Sequence, residues 1–376
     1  MNFFLNRHLQ RDDLPLVRPN DRTPLGFHQR LPGYAPTPLI DAPEIARTLG
    51  VGQVFLKHES SRLGLPAFKI LGASWAVYRV LENRLGHSPE PWTNLDELRR
   101  RIAPLRPLTL ATATDGNHGR AVARVAAMFG FAARIYVPRG TAQARRDGIS
   151  GEGAQIEIVD GTYDDAVARA ANDASDRCLI ISDTSWPNYE EIPRWVAEGY
   201  STIMREIDDE LVRRNERHPD LVAVQFGVGA LAAAVVRHFR ESSTKILSVE
   251  PLHAACALAS MQAGKIVDVP GPHDSIMAGL NCGRVSLIAW PIISAGIDAF
   301  IAVSDDRARE AMRALARAGV IAGETGASGL AGLLELLTER DHEQHRADLK
   351  ITSDSRVLIF ITESATDPVS YAQIVR

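Results

Sequence analysis

Lys69 lies between Phe68 and the run Ile70-Leu71-Gly72-Ala73-Ser74, so the residues beside it are apolar or small. An ammonium deprived of water gives up its proton more readily, and the neutral amine can attack a carbonyl to form a Schiff base. Taken alone, the same pattern describes a surface lysine whose stem covers apolar neighbours. Further along the chain, Thr114-Asp115-Gly116-Asn117-His118-Gly119 opens the helical pattern Arg120–Met128. Backbone N–H groups at such a helix start are unpaired and point outward, which suits a carboxylate. Capping by Asp115 or Asn117 is the plainer meaning, but it leaves Gly116, His118 and Gly119 without a task.

Three other stretches carry chemistry. Gly227-Val228-Gly229-Ala230-Leu231 joins an apolar strand pattern to a helical one. Glycines there let a phosphate approach the backbone, where N–H groups and the helix dipole hold it. The same turn could serve a dinucleotide or a flavin, or be a tight turn only. The full GxGxxG spacing is absent, and Glu250, which ends the next strand, stands in a different context from the acid of a dinucleotide site. Thr362-Glu363-Ser364 follows the apolar run Val357–Ile361. A hydroxyl at Thr362 could meet a pyridine nitrogen without forcing a proton onto it, or Thr362 and Ser364 could cap the terminal helix. Asp183, in Ser182-Asp183-Thr184-Ser185-Trp186, ends another strand, where it is available for proton transfer or for turn formation.

Short β-rich runs that alternate with longer helical patterns must position these residues. Strands are expected at Val54–Lys57, Leu108–Thr112, Ala133–Val137, Gln155–Val159, Cys178–Ser182, Leu221–Phe226, Lys245–Val249, Ala299–Val303 and Arg356–Ile361. Helical patterns such as Gly119–Met128, Thr162–Ser175, Ala230–Arg240 and Asp305–Ala318 follow most of them. That interleaving predicts an α/β protein with mostly parallel sheets. Pro32–Pro43 and Pro89–Pro107 read as surface connections, the second as a domain crossing, and 339–355 as a solvated helix end and loop.

The 376 residues suffice for two domains, with 45% apolar and 23% charged residues. A formal charge of −4 provides no basic field for nucleic acid or an acidic membrane. No run of apolar residues is long enough for a membrane span or resembles a signal peptide. Three scattered cysteines, Cys178, Cys256 and Cys282, suggest neither a disulfide framework nor a metal site. The expected compartment is the cytoplasm.

In this order the stretches resemble the fold-type II pyridoxal-phosphate enzymes, and within them the diaminopropionate ammonia-lyase branch. The resemblance is carried by Gly64–Ser74, Ala113–Arg120, Asp183-Thr-Ser-Trp-Pro-Asn-Tyr-Glu-Glu-Ile-Pro193 and Gly227–Ala232. Ser275-Ile-Met-Ala-Gly-Leu-Asn-Cys-Gly283, Gly323-Glu-Thr-Gly326 and Thr362-Glu-Ser-Ala-Thr-Asp-Pro368 complete it. It covers the chain from about residue 60 onward.

The resemblance implies a two-domain fold like that of the tryptophan synthase β-chain, each domain a mostly parallel twisted sheet flanked by helices. It sets a large cofactor domain at 1–76 and 186–376, a small inserted domain at 77–185, and the active site in the cleft between them. It implies pyridoxal 5′-phosphate as cofactor and no metal, with Lys69 holding the cofactor and Asn117 beside its 3′-oxygen. Gly227, Val228, Gly229, Ala230 and Leu231 would bind the phosphate, and Thr362, with Ser364 as the second candidate, would face the ring nitrogen. Asp115 stands where most relatives have serine or threonine. Asp115 and Asp183 are associated with proton transfer and with the second amino group of the substrate. Ser74, Thr114, Gly116 and His118 complete the implied substrate set.

The implied reaction is α,β-elimination of D- or L-2,3-diaminopropionate to pyruvate and ammonia by a homodimer acting on a small amino acid. Alternatives are a serine/threonine dehydratase-like lyase, a biosynthetic β-elimination or β-replacement enzyme, and a non-catalytic pyridoxal-phosphate-binding protein. Trp186-Pro187-Asn188 departs from the usual Trp-Glu-Gly, and Ser364 from the usual glycine. Cys256 and Cys282 resemble family positions that can pair, although reduced thiols are the commoner state in the cytosol.

Overall fold

The computed structural model describes residues 2–11, 23–114 and 116–376. Eleven strands are present among them: β1 (Phe3–Leu5), β2 (Leu39–Asp41), β3 (Gln53–His58), β4 (Thr109–Ala113), β5 (Ala132–Pro138), β6 (Gln155–Val159), β7 (Cys178–Ile180), β8 (Leu221–Gln225), β9 (Lys245–Pro251), β10 (Ala299–Val303) and β11 (Arg356–Ile361). They form a seven-stranded sheet in the order β1-β10-β9-β8-β11-β3-β2 and a four-stranded sheet in the order β6-β5-β4-β7. Every pairing is parallel except those of the edge strands β1 and β2.

The alternation of strands and helices thus leads to the expected α/β architecture. β8 and β10 are buried along their whole lengths, as central parallel strands covered on both faces must be. Helices Asp305–Arg317 and Glu324–Thr338 share one core with Leu221, Ala223, Leu247, Val249, Val357 and Ile359. Each such fully buried side chain contributes at most about 1.5–3 kcal/mol. β1 and β2 carry no periodic signal, being three residues long, and they close the parallel sheet with antiparallel edges.

By contacts the chain divides into two compact units, 1–21 with 36–61 and 203–376, and 22–35 with 62–202. Each sheet lies wholly within one unit. This division differs from limits at 76/77 and 185/186 because helices Thr23–His28, Ile70–Leu85 and Glu191–Gly199 pack on one another, and Ile70–Leu85 also packs on Asn117–Phe129 of the second unit. The first proline-rich passage, 32–43, therefore contains a crossing between units, whereas 89–107 stays within the second and holds the helix Leu95–Arg101. The polar stretch 339–355 contains a 3-10 turn, Arg340–His342, and a short helix, Glu343–Asp348. Among the described residues no helix is long and apolar enough to cross a membrane.

Candidate active site

In the four-stranded sheet the chain runs from β4 to β5 to β6 in one direction, while β7 lies on the other side of β4. The gap beyond the carboxyl ends of β4 and β7 is therefore a topological switch point, where open α/β sheets leave a crevice for ligands. Two of the sequence motifs, Thr114–Gly119 and Ser182-Asp183, follow those two strands. The backbone bond from Ile181 N to Ala111 O at 2.7 Å keeps the strand ends in step.

Lys69 meets them from another element. It takes up helical angles directly before the helix Ile70–Leu85, and its carbonyl accepts from Ala73 N. Gly72 and Gly199 allow this helix to pack closely. A Cβ on Gly72 would lie 2.7 Å from the Tyr200 ring, and one on Gly199 would lie 2.5 Å from Leu71 O. Lys69 Nζ donates to Asp183 Oδ2 at 2.6 Å, and the Asp183 side chain is 7% exposed. Burial opposes ionisation of Asp183. The nearby charges of Lys69 and His118, with the Lys69 hydrogen bond, outweigh it and hold the carboxyl well below the usual range. His118 Nε2 binds Ile181 O at 2.7 Å, which turns Nδ1 to within 3.9 Å of the same carboxylate oxygen.

The other expected residues of this unit fall into place around the trio. Thr114 Oγ1 accepts from Gly116 N at 2.9 Å and Gly119 N at 3.1 Å, so its hydroxyl satisfies an amide in the first turn of the helix Asn117–Phe129, whose N-cap position is Gly116. A hydrogen bond of this kind contributes about 1 kcal/mol. Gly119 is required by close approach, because a Cβ would sit 2.3 Å from Thr114 Cγ2. Asn117 is the first residue of the helix. Ser74 is fully buried one turn beyond Lys69 and donates to Leu71 O at 3.4 Å. Asp115 lies outside the described residues.

Asn188 has φ +70°, the left-handed conformation that glycine adopts freely and asparagine tolerates best among the other residues. A glycine at this position would take up the same backbone without strain. Trp186 and Tyr189 stack at 4.1 Å, and the Tyr189 hydroxyl donates to Ile180 O while accepting from Ser182 N, which anchors the turn that carries Asp183.

Sequence reasoning missed two residues here. His28 spans Thr202 Oγ1 at 2.7 Å and Leu71 O at 3.0 Å beneath the Lys69 helix. Tyr200 packs on Phe68 at 4.7 Å between ring centroids. Burial first, and then the field of Asp183, holds its phenol above the usual range against the opposing effect of Lys69. No local pattern marks either residue, since each acts across a large sequence separation.

The seven-stranded sheet has its own switch point. From β8 the chain goes to β9 and β10 on one side, while β11 and β3 lie on the other. The carboxyl ends of β8 and β11 lead into Gly227–Leu231 and Thr362. Gly229 has φ +105° immediately before the helix Ala230–Phe239, and a Cβ there would meet the Phe226 ring at 2.7 Å. The loop carbonyls turn away from the opening: Val228 O accepts from Ser286 N and Gly227 O from Cys256 Sγ. Among the described residues, no acceptor takes the backbone N–H groups of Gly227 to Leu231. A row of such donors at a helix N-terminus, with no side chain on two of the residues, fits a phosphate.

Glu250 is excluded as a ribose partner. It is buried, and its carboxylate accepts from Ala257 N at 2.7 Å and Leu258 N at 2.8 Å, at the start of the helix Cys256–Ala263; burial pushes its carboxyl up to about 8. Cys256 and Cys282 are thiols here and lie within electrostatic reach of each other beside the loop. Thr362 is 3% exposed, and its Oγ1 accepts from Gln225 Nε2 at 3.2 Å. The helix Pro368–Val375 is capped by Asp367, whose Oδ1 accepts from Val369 N and Ser370 N, so Thr362 is not its cap. Gln225 was also missed, although a glutamine ending the apolar run Leu-Val-Ala-Val was a legible signal.

Comparison with known proteins agrees with this arrangement. The pyridoxal-phosphate dependent enzyme family matches residues 30–363. Diaminopropionate ammonia-lyase of Salmonella typhimurium is 37% identical over 368 residues, covering 93% of this chain and 90% of that protein. Two crystal structures of the Escherichia coli diaminopropionate ammonia-lyase, one in complex with D-serine and one with an aminoacrylate-PLP azomethine reaction intermediate, superpose with a TM-score of 0.90. Each is 32% identical, covering 100% of this chain and 96% of theirs.

Proposed function

The chain belongs to the pyridoxal-phosphate dependent enzymes, and from that premise we propose that it cleaves 2,3-diaminopropionate by α,β-elimination, releasing pyruvate and two ammonia molecules. The observation that carries the reading is the buried Asp183 carboxylate 2.6 Å from Lys69 Nζ. A substrate with a second, cationic amine suits a buried carboxylate beside the reacting lysine, whereas the neutral hydroxyl of serine or threonine has no need of one.

When bound, pyridoxal phosphate draws electrons from the α-carbon of the amino acid joined to it and so acidifies the α-proton. Lys69 holds the cofactor covalently and, once released, is the base that takes the α-proton of an L-substrate. Asp115, in the adjoining turn of the sequence, serves as base on the opposite face for a D-substrate. Asp183 binds the β-ammonium. Because it is held ionised, it keeps that amine protonated, so the nitrogen takes the electron pair of the breaking C–N bond and departs as neutral ammonia. Hydrolysis of the released 2-aminoacrylate then yields pyruvate and the second ammonia. The N–H groups from Gly227 to Leu231 hold the phosphate, Asn117 the 3′-oxygen, and Thr362 the ring nitrogen. Ser74, Thr114, Gly116 and His118 support the substrate side, Thr114 by shaping the turn and His118 by setting Nδ1 toward the Asp183 carboxylate. The reading includes the homodimer and the cytoplasmic setting that the resemblance implies.

Pyruvate release should be fast from one or both enantiomers of diaminopropionate and slow from serine and threonine. A preparation that releases pyruvate from threonine fastest would overturn the substrate assignment. Gly229→Asp should weaken cofactor affinity by about two orders of magnitude, roughly 2–3 kcal/mol, because a carboxylate would meet the phosphate at a helix N-terminus. Absorbance titration of the cofactor-free protein reads this directly. Gly229→Ala, which shares the backbone strain without the charge, separates the two causes. Unaltered affinity in the aspartate variant would count against the loop.

A further inference from the structure

The amide of Gln225 sits at the carboxyl end of β8 with a neighbourhood that permits one orientation only. Nε2 lies 2.7 Å from Phe360 O, 3.2 Å from Thr362 Oγ1, 3.3 Å from Thr325 O and 3.4 Å from Gly326 O. Three of these four are backbone carbonyls, which can only accept. Turning the amide over would set its oxygen against all three, so the NH2 group must face them. Gln225 Oε1, on the far side, is buried with no partner. Such an orphan acceptor costs stability, so this orientation is held against a penalty.

The consequence falls on Thr362. A hydroxyl has one proton and two lone pairs. Here a lone pair is committed to Gln225, and among the described residues the hydroxyl proton has no acceptor. We propose that Gln225 is a positioning residue that turns Thr362 into a hydrogen-bond donor toward the ring nitrogen of the cofactor, and so keeps that nitrogen unprotonated. This rests on the reading of Thr362 given above. An unprotonated ring withdraws electrons less strongly, so a carbanion next to it is short-lived and expels its β-substituent before it can be reprotonated elsewhere.

The test is the nitrogen NMR resonance of holoenzyme reconstituted with pyridoxal phosphate labelled with ¹⁵N in the ring. Wild type should show the downfield resonance of an unprotonated, hydrogen-bonded pyridine, a measurement that needs no variant. In Gln225→Met the lone pair of Thr362 loses its donor and the hydroxyl is free to turn its proton away from the ring. A lone pair then faces the ring, and the resonance should move upfield toward the protonated position. Adding Gln225→Met to Thr362→Val should cause no further shift. A wild-type resonance at the protonated position would overturn the proposal, as would an unmoved resonance in Gln225→Met or a shift that persists without the threonine hydroxyl. If the enzyme binds cofactor and releases pyruvate in any of those cases, only the role of Gln225 is lost. A chain that binds no pyridoxal phosphate removes the reading of the site as well.

Discussion

Lys69→Ala should give a colourless protein with no visible absorbance for borohydride to bleach, and turnover reduced by about 10⁴ or more, since in the proposed reaction one residue serves as both covalent anchor and base. The structure adds an effect on stability. Asp183 is 7% exposed and takes its closest hydrogen bond from Lys69. Removing the lysine leaves a buried carboxylate without its closest cationic partner, which in cofactor-free protein should cost about 3 kcal/mol. The double variant Lys69→Ala/Asp183→Asn should recover most of that loss and none of the activity, because a neutral amide needs no counter-charge. Denaturant melts of the three proteins, beside their absorption spectra, check both effects. A Lys69→Ala protein that kept the visible band and normal turnover would show that another residue anchors the cofactor.

Asp115→Asn should lower activity on D-diaminopropionate by about 10²–10⁴ while affecting the L-enantiomer far less. One lysine cannot serve as base on both faces of a planar adduct, so an enzyme that accepts both enantiomers needs a second base. Asp115 is the acidic residue of the Thr114–Gly119 stretch of the sequence, and the first turn of the helix that follows is held by Thr114 Oγ1. The fold of the variant should therefore be secure. Steady-state kinetics on the separate enantiomers distinguish this from a role in binding the β-ammonium, which would reduce both rates alike. Equal losses, or a wild type inert toward the D-form, would leave Asp115 a specificity residue.

The chemistry was legible in the sequence because reactive loops in α/β proteins follow directly on strands. The apolar runs Leu221–Gln225 and Arg356–Ile361 announce buried parallel strands, and the glycines and hydroxyls beyond them announce what those strands carry. Lys69, the Thr114–Gly119 turn and the Gly227–Leu231 loop could be picked out from local composition alone. The roles proposed for them come from the family resemblance, because each stretch taken alone has a plainer structural meaning as well.

Pairing and orientation could not be read in the same way. Strand order decides that β4 lies beside β7 and β8 beside β11, and so creates both switch points, yet each pair is separated by many residues with no trace in local pattern. The same non-local contacts set Asp183 against Lys69 and place Tyr200 and His28 behind the lysine helix. Asn188 looks like a plain substitution in the sequence, and only the structure shows that it stands in a left-handed conformation. Gln225 shows the limit most clearly: its type and buried position were visible, but only three converging carbonyls determine which end of its amide meets Thr362. A hydrogen bond's direction depends on every acceptor around the donor, and that set exists only once the chain has folded.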